Sequence, residues 1–197
     1  MQKTVIKIGP RDNGRTMSLA EFSDAVVDAN YNYELSRGVV VVSPVPNPPH
    51  FACINALRRQ LNAYDLKHPG AIYGIAAGNE CRLQLETFSS ERHPDIAVYM
   101  TPPPGAESDA WDEWIPELVV EIVSPRSADR DYVEKREEYL QFGVREYWIF
   151  DADKRIMTAL RRVRGGWIEK VLRPPALYRA PLFPGLKIDC GAVFDAK

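Results

Sequence analysis

The run ELVVEIVSP, which begins at Glu117, constrains this chain more than any other stretch. From Leu118 to Val123 every residue is apolar except Glu121. Alternation puts Val119, Glu121 and Val123 on one face of a strand and Leu118, Val120 and Ile122 on the other. Apolar residues on both faces mark an interior strand. A carboxylate there is costly to bury unless a metal, a cation or hydrogen-bond donors compensate it. The sequence then runs on to Gly143 with a helical pattern that Ser127 or Asp129 can cap and Gly143 can end.

Around this stretch the chain alternates strands and a few helices. A strand is predicted from Thr4 to Ile8. A helix follows from Ser18, with Glu21 completing a capping box, Leu19, Phe22, Val26 and Val27 at helical spacing, and an end near Asn30. Tyr31 to Glu34 reads as extended and Val39 to Val42 as a β-branched strand. Four prolines in residues 43–50 predict a loop, and Phe51 to Lys67 a helix with Ile54, Leu57, Leu61 and Tyr64 on one side. Strands are predicted at Ala71 to Ile75, Arg82 to Glu86, within residues 93–100 opening at or near Asp95, and at Tyr147 to Asp151, Met157 to Arg162 and Trp167 to Val171. The proline-bearing tail, residues 174–197, is expected to be irregular and to lie along a sheet edge. This order predicts one α/β (α+β) domain over residues 1–197, a mixed β-sheet flanked by helices.

Composition narrows the class. Of 197 residues 45% are apolar, enough for a substantial core. No 18-residue apolar run is present, so no membrane span is expected. The N-terminus lacks a signal-peptide core, and three scattered cysteines without a CxxC pair read as reduced thiols in a cytoplasmic protein. The net charge of −2 hides an asymmetry: residues 1–153 carry 15 basic and 24 acidic side chains, residues 154–197 carry 10 and 3. That pattern suits an acidic site beside an anion-binding section containing Arg161, Arg162, Arg164, Lys170 and Arg173, or a solvated basic hairpin.

Two strand carboxylates, Asp95 after Pro94 and Glu121, stand 26 positions apart. Meeting at one end of a sheet, they make a hard-oxygen site of the kind Mg²⁺ takes. The plainer alternative is a turn-capping Asp95 and a Glu121 paired with arginine. In the following helix Tyr132, Val133, Arg136, Tyr139 and Leu140 form the apolar-leaning face, with Lys135 on its flank. Lys135 can serve a phosphate site or pair with Asp131 or Glu138 on the surface, and helical geometry does not choose between Lys135 and Arg136. His50, Cys53, Cys81 and His93 match no zinc spacing. GIAAG at 74–78 is no phosphate loop, and Ser124-Pro125 no nucleophile elbow. Trp111 and Trp114 suit stacking on a base or closing over a core.

HPDIAVY and PELVVEIVSPRSADRDYVEKREEYLQFGVREYWIFD resemble the Uma family of restriction endonuclease-like proteins, within the PD-(D/E)XK nuclease superfamily. The similarity runs from YELSRG at 33–38 to EYWIFDADKR at 146–155. It implies a restriction endonuclease-like core at about 33–173, preceded by an extension at about 1–32 and followed by the tail. It also implies Mg²⁺ (or Mn²⁺) bound by Asp95 and Glu121, with Glu34 as an accessory acidic ligand. The superfamily lysine position is Val123 here, and the resemblance places that lysine in the helix as Lys135. Tyr139 falls on the family's aromatic position and His50 on its histidine-bearing helix start, which marks both as substrate-contact candidates; Arg161 and Arg162 join them on the charge of the basic section. The family's Asp-Gly-Glu turn is replaced by Ser36-Arg37-Gly38-Val39, leaving Glu34 alone there.

The implied activity is metal-dependent hydrolysis of DNA phosphodiester bonds, without a membrane partner. A homodimer is compatible with cutting two strands, though no residue pattern specifies it. The alternatives are a catalytically inactive nucleic-acid-binding protein and an oligomeric structural protein whose acidic cluster is a charge network.

Overall fold

The computed structural model describes residues 5–105, 113–125 and 127–197; Thr4 and Trp111, singled out above, lie outside them. The chain divides into two compact units, one of residues up to Pro46 with Arg82–His93, the other of Asn47–Cys81 with Pro94–Lys197.

The first unit is built on a four-stranded antiparallel sheet. β3 (Tyr31–Ser36) and β4 (Val39–Pro44) form a hairpin, and β6 (Leu83–Leu85) and β7 (Ser90–Arg92) complete the order β4-β3-β7-β6. The hairpin turn holds Arg37 and Gly38 at positive φ, 50° and 79°. β1 (Lys7–Ile8) pairs in parallel with β2 (Val26–Val27). Helix α1 (Leu19–Ser23) opens on the predicted capping box, in which Ser18 Oγ accepts from the Glu21 amide at 3.2 Å. It stops at Ser23 rather than near Asn30, because β-branched Val26 and Val27 are used in the β1–β2 pair. Ile8, Met17, Phe22, Tyr33, Leu35 and Val40 form this unit's core.

The second unit centres on a six-stranded mixed sheet of order β12-β11-β10-β9-β8-β5. Its strands are β5 (Gly74–Ala76), β8 (Ile96–Tyr99), β9 (Leu118–Val123), β10 (Glu146–Asp151), β11 (Ile156–Val163) and β12 (Gly166–Leu172). β9 lies inside the sheet, as its two apolar faces require. It runs antiparallel to β8 and parallel to β10. A parallel pair needs a crossover, and the crossover here is a π-helical turn, Arg130–Glu134, continuing into α3 (Lys135–Phe142). Gly143 ends α3 at φ 113°.

Helix α2 (Pro48–Lys67) starts three residues before the predicted helix. Pro48 and Pro49 occupy its first turn, where a missing N–H leaves no bond unmade, and the Asn47 side chain caps it by accepting from the His50 amide at 3.0 Å. Ile54, Leu57, Leu61 and Tyr64 pack in one core with Leu118, Val120, Ile122, Trp148 and Phe150. The tail departs from expectation. Residues 177–194 form a hairpin, β13 (Leu177–Arg179) with β14 (Lys187–Asp189), and then helix α4 (Cys190–Phe194). They bury Tyr178, Phe183, Ile188 and Val193 in the main core instead of lining an edge. Apolar residues between and after the prolines drive this burial, worth about 1.5–3 kcal/mol for each large side chain. Among the described residues no helix is long and apolar enough to cross a membrane.

Candidate active site

The carboxylates are set by strand register. Ile96 is opposite Val120, so Asp95, one residue earlier, continues to the level of Glu121. Asp95 Oδ2 accepts the Ile122 amide of β9 at 2.7 Å, and Asp95 Oδ1 lies 3.0 Å from His50 Nε2. The first turn of α2 thus presents His50 to the strand that carries the aspartate. Burial works against protonation of His50, but the bond to Asp95 and that group's charge outweigh it; Asp131 adds to the shift, Lys135 opposes it, and the net direction is upward.

Glu121 is 4% exposed, and its compensation comes from the crossover helix. Lys135 Nζ donates to Glu121 Oε1 at 2.9 Å, and the Tyr139 hydroxyl donates to the same oxygen at 2.8 Å. Lys135 also lies 3.3 Å from Asp131 Oδ1, one turn earlier. The Lys135 amide bonds to the Arg130 carbonyl, a wider turn than the α-helical one. Such π turns recur at functional sites because they redirect side chains within a helix.

The buried helix face differs from the predicted one. Asp131, Lys135, Glu138 and Tyr139 are buried, whereas Val133 is 67% exposed and Arg136 reaches out to Glu169 at 2.8 Å. Lys135, expected on the flank, is central. The reason is the surface it meets: a buried carboxylate selects a cation and a hydroxyl, so the inward face is polar. Asp131 had no place in the apolar-face reading; its spacing of four residues from Lys135 was the signal for it.

The remaining candidates are distributed as follows. Glu34 stands on β3 in the first unit, where Arg92 Nη1 lies 3.4 Å from it and the His93 amide donates to it at 3.4 Å. Tyr139 is fully buried, its ring edge-on to Tyr147. Arg161 and Arg162 are exposed on β11, but the register sets Arg161 against Glu146 and Leu118, three positions (about 10 Å) from the level of Glu121. Among the described residues, the cations that follow the strand ends on the Asp95–Glu121 side of the sheet include Lys154 and Arg155, in the turn after β10, and Arg173, which donates to the Lys154 carbonyl at 3.0 Å. Trp114 stacks on Tyr99 at a centroid distance of 3.8 Å, closing over a small core with Cys81 and Ala97. Burial, with the charges of Glu121 and Glu80, pushes the Cys81 thiol up to about 12. Among the described residues no group of three or more His, Cys, Asp or Glu is gathered to hold a metal. Asp95 and Glu121, level in the strand register, are ligands of the type that a hard divalent cation of the Mg²⁺ class takes, one or two at a time, with water and phosphate oxygens completing its shell.

No curated protein matches the chain significantly. Among solved structures, a similar fold is that of a protein from Anabaena variabilis ATCC 29413 described as "a putative nuclease belonging to DUF820". It has a TM-score of 0.72 and 20% sequence identity, and the match covers 90% of this chain and 97% of that one. The sequence profile of the Uma2 family, described as "Putative restriction endonuclease", matches residues 19–191, and the chain therefore belongs to the Uma2 family.

Proposed function

We propose that this chain is a metal-dependent endonuclease that hydrolyses DNA phosphodiester bonds at Asp95, Glu121 and Lys135. The observation that carries this reading is the 2.9 Å contact between the Lys135 ammonium and Glu121, beside an Asp95 carboxylate docked on the same strand. Asp95 and Glu121 would hold Mg²⁺ or Mn²⁺. A divalent cation there supplies Lewis-acid charge for the attacked phosphate and the attacking water. Asp95 is oriented for this by the Ile122 amide and His50, and Glu121 by Tyr139. Lys135 orients the water and offsets negative charge that builds on the phosphate. Water adds to phosphorus, the bond to the leaving oxygen breaks, and no covalent enzyme intermediate is needed. Lys154, Arg155 and Arg173 are the first candidates for phosphate contacts flanking the scissile bond; a longer duplex would extend to Arg161 and Arg162.

The test incubates the purified protein with single- and double-stranded DNA and Mg²⁺ or Mn²⁺. Cleavage is expected for the parent and lost in Asp95→Ala, Glu121→Ala and Lys135→Met. Cleavage that survives both Asp95→Ala and Glu121→Ala overturns the site. Salt-sensitive DNA binding with no metal-dependent cleavage identifies a non-cutting binding protein instead. Glu34→Gln in the same assay tests the part that the resemblance gives to Glu34.

A further inference from the structure

We propose that Asp131 is a positioning residue, the second anion of a shared ammonium, which holds Lys135 in place when a divalent cation takes over the charge of Glu121. The inference rests on the reading of Asp95 and Glu121 as a cation site.

Three observations support it. First, Lys135 Nζ stands 2.9 Å from Glu121 Oε1 and 3.3 Å from Asp131 Oδ1, so one ammonium touches two carboxylates. Second, these side chains are nearly sealed from water, at 6% exposure for Lys135, 6% for Glu121 and 2% for Asp131. At that burial a charge left without its partner is severely penalised. Third, Asp131 is fixed independently of Lys135. Its carbonyl accepts from the Tyr147 hydroxyl of β10 at 2.9 Å, and its amide donates to the Ser127 carbonyl at 2.9 Å.

The consequence is electrostatic. A cation arriving at Glu121 repels the ammonium already there. With Asp131 in place, Lys135 keeps a buried counter-charge one helical turn away and stays at the site. Without Asp131 the loaded site carries one more positive charge, and Lys135 has lost its second carboxylate. Asp131 therefore acts on cation binding through Lys135 and not by ligating the cation.

The test is a calorimetric titration of Mn²⁺ into the parent protein, Asp131→Asn, Lys135→Met and the double variant. Asp131→Asn is expected to weaken binding by about 10–100-fold, the range for residues that hold a ligand's neighbour in place. Lys135→Met should bind Mn²⁺ at least as tightly as the parent, since the competing cation is gone. In the Lys135→Met background, Asp131→Asn should cost under about 3-fold, because the two residues act as one unit. Asp131→Glu, which keeps the charge, should recover most of the affinity and serves if Asp131→Asn does not fold. Equal losses in both backgrounds, or no loss in Asp131→Asn, overturn the inference while leaving the metal site standing. A parent protein that binds no Mn²⁺ removes the metal site and the inference together.

Discussion

Strand β9 has a helix on each side, and the two helices bury opposite kinds of surface. α2 meets Val120 and Ile122 with Ile54, Leu57, Leu61 and Tyr64. The π turn and α3 meet Glu121 with Asp131, Lys135, Glu138 and Tyr139 buried. One helix is held by apolar area removed from water, which is non-directional and tolerant of exchange. The other is held by a few directed contacts around buried charge, where losing one partner strands another. A single strand thus separates an apolar core from a buried charged cluster, the proposed site, and Glu121 is where the change occurs.

Substitutions on the two helices should separate these roles. The largest effect is expected from Lys135→Met, which leaves Glu121 and Asp131 facing each other without their shared cation. It should lower stability by about 3–5 kcal/mol in chemical denaturation and cut DNA cleavage by at least about 100-fold. Added Mn²⁺ should restore part of that stability, because it supplies the missing charge. On the other helix, Leu57→Ala should cost about 2–5 kcal/mol, with Mn²⁺ affinity and the activity of the folded fraction unchanged. Loss of Mn²⁺ binding in Leu57→Ala would show that the two faces are not separable.

Smaller effects refine the boundary of the site. Burial alone would raise the pKa of Asp151, but the bonds from the Lys154 ammonium at 2.8 Å and backbone amide at 2.9 Å more than offset it, and the net shift is downward. A carboxyl group lowered in the folded state contributes stability above its unfolded value, and that stability is lost as pH falls through the folded one. Lys154→Met should therefore lower the melting temperature at neutral pH, with the difference from the parent shrinking below about pH 4. The smallest change should come from Arg136→Ala, which removes an exposed pair with Glu169. It should cost under about 1 kcal/mol and leave cleavage intact, in contrast to the neighbouring Lys135.

The same contrast explains what the sequence made legible. Apolar periodicity found α2 and four of its six buried residues, because burial of apolar area is what the 3.6-residue repeat records. It placed β9 inside a sheet for the same reason. Applied to residues 130–142 it put Val133 and Arg136 inward, since it has no means of registering a face shaped by a carboxylate on another element. Geometry alone left Lys135 and Arg136 undecided, and the family resemblance favoured the residue that the structure places on Glu121. The tail reads as irregular because its four prolines outweigh Tyr178 and Phe183, which lie between them, and Ile188, which follows them. β7 went unpredicted, as Ser90–Arg92 carries no β-branched or aromatic signal and is held by β3 and β6.

The charged face around Glu121 is proposed here as a cation-dependent catalytic centre. It is tested most directly by soaking crystals in Mn²⁺ and recording anomalous scattering. A peak is expected within bonding distance of both the Asp95 and Glu121 carboxylates, with the Lys135 ammonium retained beside Asp131. A crystal that takes up Mn²⁺ elsewhere, or none, with Lys135 still bonded to Glu121, would contradict it.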